Sequence, residues 1–260
     1  MPMAEPQVIR GLTENEYNKL PGIRHSTLKY MGLPTPAHAK HAIDNERENT
    51  DSLINGSCLH ALVLEDRTIF EVALEHKNQK NPVQPEKLAG TGQYLLSPHN
   101  AGIIRGMREG VMRNPGCRAF IESLTERELT IVWDRWKARL DGVSPTGVVD
   151  LKSTKGANLR GFQKAIADFS YHTAAAHYLE AAANVGLPCD EFVFVAVENF
   201  APYEAALYRL EYESLEIGGR LLDRYREEYL HCTETGIWPG YAAAAQGINL
   251  PNWYLRNEGE

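Results

Sequence analysis

Cysteine is scarce and scattered. Cys58, Cys117, Cys189 and Cys232 form no CxxC pair, which argues against a zinc ribbon and a disulfide framework and leaves reduced, mostly buried thiols as the expectation. Long apolar runs are missing too, since no stretch reaches the roughly 18 residues of a transmembrane helix. The opening Met1-Pro2-Met3-Ala4-Glu5-Pro6 has no basic region followed by an apolar one. No secretory signal is read, and a cytoplasmic location without membrane contact is the expectation. Positive charge is in deficit: 27 Lys+Arg against 34 Asp+Glu give a net charge of −7, which speaks against a protein that coats nucleic acid non-specifically. Any nucleic-acid contact would have to be focused and salt-sensitive. Internal repeats and low-complexity segments are absent as well. What is present is an ordinary globular composition, 260 residues with 43% apolar and 23% charged, enough to bury a full core in one large domain or two small ones.

The first 50 residues read as a helical extension, in pieces broken by Pro21-Gly22 and Pro34-Thr35-Pro36. His25 to Met31 suggests a short helix capped by Ser26, and Pro36 opens another at its first turn. Ser52 to Leu64 is a predicted helix with Gly56, His60 and Leu64 on one stripe, the glycine serving close packing. Phe70 to Gly92 is mixed and polar, with Lys77 to Pro82 as a loop. Asn100 to Arg113 is helical, with Arg105, Arg108 and Arg113 more exposed, and Asn114-Pro115-Gly116 ends it. The period then changes. Glu128 to Trp133, Trp136 to Leu140 and Gly147 to Leu151 read as three strands. One long helix from Gly161 to Val185 follows, then strands at Glu191 to Val197 and Tyr203 to Leu210 and a helix from Leu215 to Cys232. This order predicts an α/β layered domain over residues 51–245, a mixed central β-sheet flanked by helices, with a tail over 246–260.

Chemistry concentrates at Asp150-Leu151-Lys152. Residues two apart on a strand face the same way, so Asp150 and Lys152 share one face while Leu151 points into a core. Asp141 closes the preceding strand, and Ser144-Pro145-Thr146-Gly147 reads as the turn between the two. Two carboxylates and a lysine at one hairpin suit a magnesium-dependent phosphodiesterase: the acids hold the metal by oxygen, and the lysine steers the phosphate or the attacking water. Taken alone, an Asp-x-Lys pair is more often a surface salt bridge, and His60 more often a core histidine.

The combination is more specific than its parts. Gly56-x-x-x-His60, Asp141, Asp150-x-Lys152 and a helix bearing Tyr171 and Tyr178 resemble the PD-(D/E)xK nuclease superfamily. More narrowly, the chain is similar to the RecB-type branch and the exonuclease VIII (RecE-type) family of prophage recombination exonucleases. Pro21 to Leu28, Gly56 to Glu65, Asp150 to Thr154 with Ala157, and Trp238-Pro239-Gly240-Tyr241 carry this likeness over nearly the whole chain. The resemblance implies a restriction-endonuclease-like core. It implies that Asp141 and Asp150 hold one or two Mg²⁺ ions, with Mn²⁺ able to substitute, that His60 completes the metal sphere, and that the Leu151 backbone carbonyl is a further ligand. Lys152 would position or activate the water. Glu128 matches an acidic position near the metal, Tyr171 and Tyr178 would flank the DNA end or support Lys152, and Lys155 and Arg160 would contact DNA just beyond the catalytic strand. Some nucleases of this class carry an iron–sulfur cluster; the closely spaced cysteines that this requires are missing, so none is expected. One departure stands out. The family pattern has a glutamine four residues before the second tyrosine, where this chain has Ala174, and Gln163 lies too far upstream to replace it. Glu65 reads equally as a metal ligand or as a helix-end residue, since it lies five residues on from His60 and off its face, while His172 and His177 read as surface or packing residues.

The resemblance further implies a 5′-to-3′ exonuclease on double-stranded DNA ends, leaving a 3′ strand for an annealing protein, and a ring-shaped homo-oligomer. The alternatives are a structure-specific or restriction-like endonuclease on the same core, or a non-catalytic DNA-end-binding recombination accessory.

Overall fold

The computed structural model describes residues 5–45, 50–74, 83–88, 91–252 and 254. The chain opens with strand β1 (Gln7–Ile9) and then helices α1 (Glu14–Lys19), α2 (His25–Leu28, continued as a 3₁₀ turn over Lys29–Gly32), α3 (Pro36–Asp44) and α4 (Asp51–Leu64). Strands β2 (Phe70–Val72), β3 (Glu86–Lys87) and β4 (Tyr94–Leu96) precede α5 (Pro98–Arg113) and α6 (Pro115–Glu122). Strands β5 (Glu126–Trp133), β6 (Trp136–Val143) and β7 (Gly147–Thr154) lead into α7 (Leu159–Asp168) and α8 (Tyr171–Asn184). Strands β8 (Glu191–Glu198) and β9 (Ala205–Arg209) and the 24-residue α9 (Tyr212–Thr235) follow.

Six strands form the central sheet in the order β1-β5-β6-β7-β8-β9. Only β7 and β8 pair in parallel, because the α7–α8 crossover returns the chain to the same end of the sheet. Period-2 alternation along β7 splits the core into two layers. Val148 joins Phe162, Phe192, Phe194, Ala175 and Leu222 on the side of α7, α8 and α9. Val149 and Leu151 join Leu59, Val63, Ile104 and Met107 on the side of α4 and α5. This is the mixed sheet between helical layers that the order of segments implies, and it places Asp150 and Lys152 on the α8 side.

Several local expectations are corrected. The helix expected over 161–185 is two helices: Ser170 takes a left-handed conformation, φ +56°, which breaks the run between α7 and α8. Ser26 does not cap α2; the cap position is Arg24, with no side-chain cap bond. Asn114 ends α5 but also starts α6, its side chain accepting from the N–H of Gly116 and Cys117. Gly56 is not a close-packing glycine, since a Cβ there would meet nothing within 4 Å. The segment read as a helical extension also supplies β1, which pairs antiparallel with β5 at Val8↔Ile131. The mixed stretch after Phe70 contributes a second, three-stranded sheet in the order β2-β4-β3. The Lys77–Pro82 loop lies outside the described residues, and so does part of the 246–260 tail. The four cysteines are free, three of them buried. Among the described residues no helix is long and apolar enough to cross a membrane.

Candidate active site at a fork in the sheet

Strands β6 and β7 pair only at Gly142↔Val149 and Val143↔Val148, whereas β7 stays paired with β8 along all eight residues from Gly147 to Thr154. Beyond Val149 the two strands part, and the backbone of β7 must find other partners. The Leu151 N–H donates to Asp141 Oδ2 at 2.7 Å, and the Leu151 carbonyl accepts from His60 Nε2 at 2.9 Å. A carbonyl only accepts, so Nε2 carries the proton and Nδ1 is the ring atom that faces the acids. The Leu151 carbonyl, expected as a metal ligand, thus anchors His60 here.

The β5–β6 ladder is interrupted at the same level. Arg127 pairs with Gly142 and Leu129 with Leu140, but Glu128 between them does not pair, and its φ is +48°. A left-handed glutamate stores on the order of 1–3 kcal/mol of strain, which persists only where surrounding contacts impose it. Its carboxylate lies 3.7 Å from His60 Nδ1, and Asp141 Oδ1 lies 3.5 Å from the same atom. Arg139, two residues before Asp141 on β6, approaches Glu128 at 2.7 Å.

On the α8 side, the Lys152 ammonium straddles the Asp150 carboxylate at 2.7 and 2.6 Å and sits 5.3 Å from the Tyr171 ring centre. Asp150 is 1% exposed. Burial raises its pKa and the nearby Asp141 charge raises it further, against the opposing pull of Lys152. Burial would raise Asp141 as well, but His60, Lys152 and the Leu151 N–H hold it well below the usual carboxylate range. The two acids are therefore pushed apart, one ionised and one able to take a proton near neutrality. Burial opposes the charged form of His60, yet Asp141 and Glu128 push it up to about 10. Burial likewise opposes the charge on Lys152, and Asp150 and Asp141 raise its pKa nonetheless.

Charge bookkeeping explains these shifts. Among the described residues, ion pairs join Glu128, Asp141 and Asp150 to Arg139, Lys152 and His60, so a proton on His60 supplies the third positive charge of the cluster. Donor atoms of His60, Glu128 and Asp141 all lie within 4.8 Å of one another. A cluster of carboxylates with one imidazole and no thiolate suits an oxygen-preferring divalent ion such as Mg²⁺ or Mn²⁺, which would supply the charge that the proton now supplies.

A cavity of about 240 Å³ opens beside Lys152, lined by Arg24, Lys29, Arg139 and Tyr171 among others. Tyr178 and Ala174, at the position of the family glutamine, line it too. Burial first, and the Asp150 and Asp141 charges second, raise the Tyr178 phenol well above its ordinary value. Lys137 also borders the cavity, but its ammonium donates to the carbonyls of Tyr17, Asn18 and Leu20 at 3.1, 3.4 and 2.7 Å. It holds the α1–α2 connection in place.

The fork thus brings together His60, Glu128, Asp141, Asp150, Lys152, Tyr171 and Tyr178. Lys155 and Arg160 lie apart: both are exposed beyond the end of β7, and among the described residues no ion pair joins them to the cluster. Glu65 pairs with Arg67, Arg108 with Asp66 and Arg113 with Glu204, while Arg105 lies over the Phe70 ring. His172 approaches the Ile166 carbonyl. Reasoning from sequence missed Arg139, Arg24 and Lys29. Arg139 was within reach, since its place two residues before Asp141 puts it on the same strand face.

Residues 25–251 match the model of the family described as PDDEXK-like domain of unknown function (DUF3799). The chain belongs to this family. A crystal structure from Eubacterium rectale, described as a "putative exonuclease", superposes on this PDDEXK-like chain with a TM-score of 0.63 at 14% identity, covering 96% of this chain and 98% of that one. At that identity the likeness establishes the fold, which is the PD-(D/E)xK nuclease fold. A search of curated proteins finds no match.

Proposed function

We propose that this PDDEXK-like domain is a divalent-metal-dependent deoxyribonuclease that degrades duplex DNA from its ends. One observation carries the reading: the carboxylate cluster at the β6–β7 fork borders a cation-lined cavity, with Lys152 between the two. Mg²⁺, or Mn²⁺ in its place, held by His60, Glu128, Asp141 and Asp150, would polarise the phosphodiester and lower the pKa of an attacking water. The protein's own groups supply the remainder. Lys152, held on the Asp150 carboxylate, would stabilise charge on the phosphoryl oxygens and position the attacking water. Asp150 fixes Lys152 in the cavity wall, and Tyr171 limits its movement from the other side. His60 is oriented by the Leu151 carbonyl, so that one ring atom is presented to the metal.

Preference for ends is supported by the likeness to recombination exonucleases and by the designation of the Eubacterium rectale protein. The same likeness supports 5′-to-3′ polarity, delivery of the 3′ strand to an annealing protein, and a homo-oligomeric ring. A net charge of −7 makes tight electrostatic tracking along DNA costly, and enclosure of the duplex by a ring would give processivity without it. The test compares linear and covalently closed duplex DNA under Mg²⁺. Release of nucleotides from the linear form alone is expected, with Lys152→Ala and Asp150→Ala inactive. Cutting of the closed circle would replace this reading with an endonuclease, and binding of ends without turnover would replace it with an accessory factor. A monomer in sedimentation that acts distributively against a competitor trap would remove the ring.

A further inference from the structure

The break between α7 and α8 carries an exposed aromatic ring beside the site. Phe169 is 61% exposed, and it directly precedes Ser170, the left-handed residue with φ +56°. Single exposed apolar residues are commonplace and need no explanation. Phe169 differs from the other exposed ones in what it touches. Its ring stacks on Tyr171, with centroids 5.6 Å apart and an interplanar angle of 29°, and it lines the same cavity as Lys152, Arg24 and Lys29. Tyr171 is in turn backed by Phe162 and Phe194, at 6.4 and 6.0 Å between centroids, both fully buried. The outer ring therefore rests on Tyr171, which packs at a tilt on two buried rings and lies 5.3 Å from the Lys152 ammonium.

An aromatic face beside cations is how proteins hold a single nucleic-acid strand: the cations take the backbone, and each base stacks on a ring. We propose that Phe169, stacked on Tyr171, is the base-stacking platform of this site and takes the nucleobase adjoining the scissile phosphate. It is a positioning residue, which aligns the strand end for Lys152 and has no part in the chemistry. Ala174 contributes by leaving its part of the cavity wall without a long polar side chain. The proposal rests on the nuclease reading above, and its test separates the two.

The experiment is a cycle between residue and base. Wild type, Phe169→Ala and Phe169→Trp are assayed on linear duplexes that carry either normal nucleotides or an abasic nucleotide at the first, second or third position of each strand. Stacking on an aromatic side chain predicts a roughly 5- to 100-fold loss of kcat/KM for Phe169→Ala, and recovery to within a few-fold of wild type for Phe169→Trp. One abasic position should cost wild type as much and add nothing in Phe169→Ala, because both remove the same contact. Because Phe169 is exposed, the truncated variant should melt with wild type. The same duplexes are titrated by fluorescence anisotropy in EDTA, where the same base dependence is expected without turnover. Losses that add, or a Phe169→Ala variant indistinguishable from wild type in both assays, overturn the platform and leave the nuclease intact. Base-dependent binding without any nucleotide release under Mg²⁺ keeps the platform and overturns the nuclease. Failure of wild type to bind or degrade the duplexes overturns both.

Discussion

His60 and His177 are both packed among charged groups in one domain, and their surroundings drive them in opposite directions. His177 is fully buried, with Nε2 against the Lys137 carbonyl at 3.1 Å and Nδ1 against Arg226 at 3.0 Å. Arg226 donates to Glu180 at 2.6 Å, Trp133 donates to the other Glu180 oxygen at 3.0 Å, and Arg226 lies 4.6 Å from the Trp136 ring centre. One cation meets one anion there, and the neutral imidazole completes the network; burial, aided by Arg226, lowers its pKa to about 4. Around His60, the carboxylates of Asp141 and Glu128 both face one ring atom, and the ring is pushed up to about 10 against the effect of burial. Asp141 and Asp150 are buried much as His177 is, so burial does not mark the functional region. The mark is a carboxylate cluster that draws its third positive charge from a proton on His60, at a place where the sheet has come apart.

Matched substitutions should break this contrast if it is wrong. The largest expected effect is Asp141→Asn, which keeps the shape and the bond from the Leu151 N–H but removes a charge from the fork. Nucleotide release should fall by about three orders of magnitude, the equivalent of roughly 4 kcal/mol of lost charge stabilisation, while the metal-free melting temperature moves by only a few degrees. Arg226→Ala should do the reverse. It leaves Glu180 with only the Trp133 bond and no ion-pair partner, and His177 without one of its bonds, and chemical denaturation should show a loss of about 3 kcal/mol. That figure sits at the low end for a broken buried pair because the Glu180 side chain is 37% exposed. The rate per folded molecule should stay within a few-fold of wild type.

The pH dependence of stability sharpens the comparison further. His177 has a folded pKa of about 4 against an ordinary 6.5, so the unfolded chain binds the extra proton between these values. Its contribution is complete above pH 6.5 and is lost as pH falls toward 4, up to about 3 kcal/mol. The difference in urea midpoint between wild type and His177→Gln, followed from pH 7 to 4, should show the fall, because Asp150 and His25 titrate in both proteins. The raised pKa of His60 works in the opposite sense in the metal-free protein: its contribution is complete below pH 6.5 and fades as pH rises through about 10.

The smallest effect concerns Gly56, one turn before His60 on α4, where a Cβ meets open space. Gly56→Ala should raise stability by about 0.5–1 kcal/mol, the ordinary helix-interior difference, measurable as a small upward shift in melting temperature.

How much of this was legible in the sequence depends on the distance over which each feature is decided. The Asp150–Lys152 face follows from strand alternation alone, and the β5–β6 hairpin from two apolar runs flanking Asp134-Arg135. The layered α/β order follows from where the hydrophobic period changes. The helix break at Ser170 was not legible, because Phe169-Ser170 contains neither Gly nor Pro and only tertiary packing holds Ser170 left-handed. Strand β1 is three residues long and gains its identity from pairing with β5. At the site, Asp141, Asp150, Lys152 and His60 could be named from motif spacing. The interrupted pairing at Glu128, the parting of β6 from β7 and the use of the Leu151 backbone by Asp141 and His60 could not. Those depend on residues up to 91 positions apart, and no local pattern encodes them.

If the fork is the catalytic centre, a divalent ion takes the place of the proton on His60. Nucleotide release from linear duplex DNA, followed as EDTA is added to the active protein and Mg²⁺ is then restored in excess, tests it most directly. Release under Mg²⁺, cessation on chelation and full recovery on restoration are expected, with Asp141→Asn inactive throughout. Release that continues in EDTA, or an Asp141→Asn variant that matches wild type, would contradict it.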